Sequence, residues 1–413
     1  MLSLKMSSQI IALVDWRWAG HHPNYFVNYA VAMAKAGYQV MPFCDNPDDF
    51  TCRLSLILNR KDDDVYAELI RKPEKLEQPM LSKIRPSRYR GIHDAWRRFG
   101  GLGKRLRQWE KSEGAKIDLV FFACIYDKDF QHFDKVEKSF GYSWSGLYLH
   151  ARSFRLPGSP IPYSSLVPCP EKIFSSDMMR SAAVIDEGAI KPMGDIAQGK
   201  PIVLMPDFTD EHLPGSEDEE SGLGQKIIRF AQGRPIISLV GHLQQTKGIE
   251  NFTAISRQEG VQDVVFFIGG ELAWYGIDEC KRKELTEEWA NSKNIFTHLL
   301  SLTDAQMNAA MSASDIIYAA YLNFPNSSNI MTKAALLKKP MIVSDGYLMA
   351  ERVRKYAMGE VVAEGNQDEI LNAIQLMLTD DYSDQLQSRA RWEEYHAQHV
   401  VERLPECFER LLS

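Results

Sequence analysis

The chain has 413 residues, 45% of them hydrophobic and 25% charged, and a formal net charge of −7. That length exceeds one ordinary core and suggests two large domains of a soluble globular protein. The acidic balance argues against general nucleic-acid binding, because phosphate backbones are held by a surplus of Lys and Arg.

Cys44, Cys52, Cys124, Cys169, Cys280 and Cys407 are scattered, with no CxxC pair and no CxxC…H spacing. Neither a structural zinc site nor a disulfide framework is indicated, and reduced thiols in a cytoplasmic protein are the plain expectation. The first apolar run, Ile10 to Val14, is too short for the core of a signal peptide and reads as a strand. Leu119 to Tyr126 is a longer run, yet it falls far short of the ~20 residues that span a bilayer.

Seven apolar, β-branched runs follow one another with helical stretches between them: "IIALVD", "YQVMPFC", "LSLIL", "IDLVFFACIY", "SGLYLH", "AAVID" and "PIVLMPD". Continuous apolar strands alternating with helices predict a parallel sheet covered on both faces. Residues 1–208 therefore read as one doubly wound, Rossmann-like domain. Within it, Lys83 to Lys111 holds ten Lys and Arg residues against two acidic ones. Ile92, Trp96, Phe99, Leu102, Leu106 and Trp109 recur there near helical spacing. Such a segment suits the surface of an anionic membrane or a lipid-linked ligand. The plainer reading is a surface helix pair with a solvated basic face, broken by the glycines at 100, 101 and 103.

Thr209 to Gln225 is rich in acid, Gly, Ser and Pro without apolar periodicity and reads as a linker. The alternation then resumes through "PIISLVG", "DVVFFIGG", "NIFTHLL", "DIIYAAYL", "PMIVSDG" and "EVVAEG", giving a second Rossmann-like domain over 226–390. Residues 391–413 are helical in composition, with Trp392, Tyr395, Val400, Leu404 and Phe408 available for an apolar face. Two such units joined by a polar linker are expected to face a cleft with the C-terminal ends of their strands, where ligands of these sheets bind.

Four groups of residues are candidates for that site. Gly241 ends a strand, and Lys247-Gly248 open the next helix, so a fixed cation at a helix start suits a phosphate. Ser327, Ser328 and Asn329 are good N-cap residues before "IMTKAALLKK", which Pro340 stops. Lys333, in the second turn of that helix, reads either as a second phosphate cation or as a lysine pointing into water. In the first half, Gly20 lets a loop approach a ligand closely, while His21 and His22 could donate hydrogen bonds or act as a general base. Their plainer roles are a helix cap and a solvated side chain.

The order "GHLQQTKGIENF", "VVFFIGG", "NIFTHLLSLTDAQMNAAMSASDIIY" and "FPNSSNIMTKAALLKKPMIVSDG" resembles the nucleotide-sugar domain of GT-B glycosyltransferases, in particular the family 4-like group. The resemblance covers most of Lys226 to Gly365 and implies the GT-B fold, with the nucleotide-sugar donor on the second domain and the acceptor on the first. It implies that Gly20, Gly241, His242, Lys247, Ser327, Ser328 and Asn329 hold the donor diphosphate. Gly270, Glu271, Leu300 and Lys333 would border the base and ribose, and His150 would reach the donor sugar beside His21 and His22 as the catalytic group. The final helix would pack back on the first domain.

Two departures from the family pattern stand out. His242 replaces a frequent arginine, giving one donor where guanidinium gives several. The paired glutamates seven residues apart, one near the donor sugar and one on the ribose, fall at Pro325 and Lys333, so that motif is degenerate. The resemblance then implies a metal-independent hexosyltransferase of the retaining type, free of cofactors and acting in polysaccharide biosynthesis on a glycan or lipid-linked acceptor. It would be cytoplasmic or peripheral at a membrane through 83–111, and its oligomeric state stays open. A non-catalytic GT-B protein, such as a partner subunit, and a nucleotide-sugar epimerase are the alternatives.

Overall fold

A computed structural model describes residues 9–61, 63–77, 90–126, 129–151, 170–211, 222–273 and 276–413. Most of the expected linker (212–221), the start of the basic segment (83–89) and Cys169 lie outside the described residues. The chain forms two compact units, one of Met1–Pro206 with Val401–Ser413 and one of Asp207–Val400.

The first unit is built on seven strands: β1 (Ile10–Asp15), β2 (Gln39–Cys44), β3 (Glu74–Lys75), β4 (Leu119–Ile125), β5 (Trp144–Tyr148), β6 (Ala182–Val184) and β7 (Ile202–Leu204). Every neighbouring pair is parallel, in the order β3-β2-β1-β4-β5-β6-β7. β1, β4 and β5 are buried along their whole length, which is why they read as unbroken apolar runs. The order reverses between β1 and β4, and in open parallel sheets the loops leaving such a pair diverge and leave a crevice.

One expected strand is a helix. "LSLIL" lies inside the helix Pro47–Lys61, which opens on Pro and carries Asp48 and Asp49 in its first turn. Leu58 and Phe50 are buried while Leu56 is exposed, so the periodicity is that of a helix. The strand that takes its place in the sheet, β3, is a two-residue edge strand.

The basic segment is also corrected. Arg90–Ala95, a π-helical turn Trp96–Gly100 and Gly101–Glu113 follow one another, so the three glycines do not break the helix. A Cβ on Gly103 would come within 2.3 Å of the Phe140 carbonyl oxygen, so Gly103 permits close packing there. Phe99, Leu102, Leu106 and Trp109 are buried in the core of the first unit, and Trp96 is left 55% exposed.

The helix Leu404–Leu412 packs on the helix His22–Lys35 and on β7. Its Phe408 ring stands edge-on to Tyr29 at 5.4 Å and to Phe121 at 5.2 Å.

The second unit carries β8 (Ile236–Val240), β9 (Val265–Gly269), β10 (Ile295–His298), β11 (Ile316–Ala319), β12 (Met341–Ser344) and β13 (Gly359–Val362). These strands are parallel in the order β10-β9-β8-β11-β12-β13, so this sheet reverses between β8 and β11. The helix Trp392–Gln398 belongs here and packs on the helix Asn329–Leu336. Among the described residues no helix is long and apolar enough to cross a membrane.

Candidate functional site

In the first unit the candidate residues gather where β1, β4 and β5 end. Asp15, the last residue of β1, is buried, and its Oδ2 lies 2.7 Å from His22 Nδ1. A carboxylate at that distance holds the proton on Nδ1 and leaves the Nε2 lone pair as an acceptor. Nε2 lies 3.0 Å from the Tyr126 hydroxyl, which donates to it. His21 stacks on His22 with ring centres 4.8 Å apart, and its Nε2 is 3.4 Å from the same hydroxyl. Burial, with the neighbouring His22 and His150 rings adding to it, pushes the His21 pKa down to about 3, so this ring is neutral at physiological pH. His150 meets the Tyr126 ring edge-on at 5.3 Å. Tyr126 is thus the hub that brings His21, His22 and His150 together. Gly20, at φ 63, borders open space.

Around this hub Arg17 lies over the Tyr126 ring at 4.4 Å and pairs with Asp129 through Nη2 at 2.6 Å. Arg98 Nη1 shares the same carboxylate at 3.1 Å. The ligand atoms of His21, His22 and Cys124 lie within 4.8 Å of one another, a donor set that could attract a soft divalent ion. The Tyr126 hydroxyl already bonds His22 and the Cys124 thiol, and burial holds that thiol protonated.

In the second unit the corresponding cluster forms where β8, β9 and β11 end. The Gly241 N–H donates to Gly269 O at 2.9 Å, and a Cβ on Gly270 would sit 1.8 Å from Gly241 O. With φ of 110° and 138°, Gly241 and Gly270 are conformations that side chains rarely adopt. The two loops therefore run in contact, and their backbones are bare. Lys247 closes the short 3₁₀ turn Gln245–Lys247, which is pinned to the end of β11 by the Leu322 N–H donating to Thr246 O at 2.8 Å. Its Nζ lies 3.9 Å from the centre of the Tyr321 ring. No carboxylate pairs with Lys247 among the described residues, so its charge remains available to an anion. The helix that follows, Ile249–Ile255, has only seven residues, and the cation matters here more than the dipole. His242, Glu271 and Leu300 are exposed on the loops after β8, β9 and β10.

The Ser-Ser-Asn stretch is differently employed than its capping pattern predicts. Ser328 occupies the N-cap of Asn329–Leu336 with extended backbone, but its side chain makes no capping bond. Ser327 Oγ instead donates to Asp207 and accepts from Arg352 Nη1 at 2.7 Å. Thr332 Oγ1 donates to Asp207 O at 2.7 Å, and His399 Nδ1 accepts the Asp207 N–H at 3.0 Å.

Lys333 does not point into water. It is fully buried, with Nζ 2.8 Å from Asn308 Oδ1, 3.0 Å from Asp304 Oδ1 and 3.3 Å from Asp210 O. Its three donors are spent inside the unit, which leaves none for a phosphate. Sequence reasoning missed Asp15, Tyr126, Asp129, Tyr321 and Arg352. Only Asp15 carried a signal, an acid closing an otherwise apolar strand.

Residues 224–399 match the family "Glycosyl transferases group 1". That match falls within the second unit. Solved structures extend the likeness to the whole chain. Sucrose-phosphate synthase from Thermosynechococcus elongatus aligns with a TM-score of 0.69 at 16% identity, covering 98% of each chain. Anabaena HepE, in complex with UDP and glucose, aligns at 0.66 and 14% identity, covering 98% of this chain and 99% of its own. The Escherichia coli trehalose-6-phosphate protein bound with UDP-2-fluoro glucose aligns at 0.66 and 11% identity, covering 97% and 98%. No curated protein matches. These likenesses establish the GT-B fold for the chain. The glycine loops after β8 and β9 and Lys247 all fall inside the matched residues.

Proposed function

We propose that the protein transfers a hexose from a nucleotide-sugar donor, UDP- or GDP-linked, to a glycan or lipid-linked acceptor. The reading needs no metal and retains the anomeric configuration. The observation that carries it is Lys247, an ammonium with no carboxylate partner, held over Tyr321 beside the bare backbones of Gly241 and Gly270. Such a preorganised cation stabilises charge growing on a leaving diphosphate. The solved relatives with UDP or a UDP-sugar bound support a uridine donor. In the first unit the Asp15–His22–Tyr126 chain and His150 would act on the sugar or the acceptor hydroxyl. The exposed Trp96, Arg97, Lys104 and Arg107 would supply a peripheral contact with an anionic membrane.

Calorimetric titration with UDP, GDP and ADP tests the reading. Binding of UDP or GDP that Lys247→Ala weakens by roughly 10- to 100-fold is expected, the loss of one charge-assisted contact. A folded protein that binds none of the three sinks it. Anomeric assignment of the product by NMR tests retention.

The alternative, a non-catalytic GT-B protein, is favoured by one observation. The Lys333 position, where the family carries a ribose-binding carboxylate, is closed into the interior of the unit.

A further inference from the structure

At the opposite end of the second sheet from Gly241 and Tyr321, the N-terminal ends of β8, β11 and β12 surround a cavity of about 670 Å³. That volume falls within the range of small-molecule sites. Its walls come from Pro235, Asp315 and Pro340 before the three strands, from Lys338 and Lys339 after the helix Asn329–Leu336, and from the start of the helix Asp380–Arg389. Leu386 and Trp392, both buried, form an apolar side.

Three features give this cavity a chemistry. Lys339 is largely withdrawn from solvent, and among the described residues no hydrogen bond or ion pair engages its ammonium. Burial pulls its pKa down, partly offset by Asp315. Its backbone is fixed, because the Lys339 N–H donates to Ala334 O at 2.8 Å. That bond belongs to a helix stop in which Lys338 takes φ 52, a left-handed conformation normally left to glycine. The helix Asp380–Arg389 also turns its N-terminus to the cavity, with Thr379 Oγ1 accepting from the Tyr382 N–H at 3.3 Å. The amides of Asp380 and Asp381 have no partner within that helix.

The other charges are mostly committed. Arg234 caps carbonyls, with Nε 2.9 Å from Ala231 O and Nη2 3.0 Å from Phe230 O. Lys338 pairs with Glu393 at 2.6 Å, and Asp315 Oδ2 accepts the Ile236 N–H at 2.8 Å. Asp380 is the one acid of the cavity that no bond engages among the described residues.

We propose that this cavity is a second ligand site, for a small phosphomonoester with an apolar body. The oxyanion would sit between Lys339 and the start of Asp380–Arg389, and the body against Leu386 and Trp392. The site lies at the far end of Asn329–Leu336 from the Ser327 to Asn329 stretch, and its ligand is distinct from a sugar nucleotide.

The test is titration of the full chain with inorganic phosphate and with phenyl phosphate, each with saturating UDP. Both probes are expected to bind with UDP present, phenyl phosphate about ten-fold tighter for its buried ring. Lys339→Met should weaken both about ten-fold or more, while Lys339→Arg retains binding and Asp380→Asn tightens it. Lys247→Ala should leave both unchanged. Absence of heat for both probes, with an intact thermal unfolding transition, overturns the proposal. So does binding lost in Lys247→Ala but kept in Lys339→Met. If UDP itself fails to bind, the donor-site reading falls while the phosphate titrations still decide this one.

Discussion

The Lys333 ammonium lies 3.0 Å from Asp304 Oδ1, with the lysine fully buried and the aspartate side chain 46% exposed. The pair ties the helix Asn329–Leu336 to the start of the helix Asp304–Ser312, and the lysine also reaches Asp210 O. Lys333→Ala removes the cation from beside Asp304 and Asn308 Oδ1, while Asp210 O keeps the Asn308 Nδ2 donor at 3.1 Å. A loss of about 1 to 3 kcal/mol is expected, that of hydrogen bonds to a charged group, because the remaining Asp304 carboxylate is half-exposed and stays solvated. Urea unfolding measures it. A change within experimental scatter would mean that the side chain is solvated after all.

Lys333 also marks where the sequence stopped being informative. Its helical position was legible from "IMTKAALLKKP", but its burial is decided by Asp210, Asp304 and Asn308, far away in the chain. The strands were legible for the opposite reason, since unbroken apolar runs report burial on both faces without reference to partners. "LSLIL" misled because five apolar-rich residues fit a strand and one and a half helical turns equally well. Asp15 and Tyr126 are separated by most of a domain, and only the switch between β1 and β4 brings them together.

Asp15→Asn tests the first-unit cluster. An amide cannot hold the His22 proton on Nδ1 as a carboxylate does, so the ring is free to take the other tautomer. The expected outcome is a drop in transferase kcat of about 10²- to 10⁴-fold, with UDP affinity unchanged. Equal loss of kcat and of UDP binding would point to collapse of the loop instead.

His21 predicts a pH dependence. Its folded pKa of about 3 lies below the ordinary 6.5, so the unfolded chain binds the extra proton first as pH falls. Stability is therefore complete above pH 6.5 and declines between that value and about 3. The decline approaches about 1.4 kcal/mol per pH unit for one group. Urea midpoints followed across this window should slope less in His21→Asn than in the parent chain. Parallel curves would show that the His21 ring is not shielded.

Gly270→Ala places a Cβ 1.8 Å from the Gly241 carbonyl oxygen at φ 138. Backbone cannot yield as a flexible side chain can, so destabilisation of about 3 kcal/mol or more is expected, read as a lower thermal midpoint. Gly20→Ala meets no neighbour within 4 Å and should cost only its left-handed backbone strain, about 1 to 2 kcal/mol.

The helix Leu404–Leu412 has a consequence for how the protein is made. Phe408 fills the space beside Tyr29 and Phe121, yet it is synthesised after the entire second unit. A nascent first unit therefore waits with an apolar seam unsealed while about two hundred residues emerge behind it. During that interval the seam is a natural target for a holding chaperone.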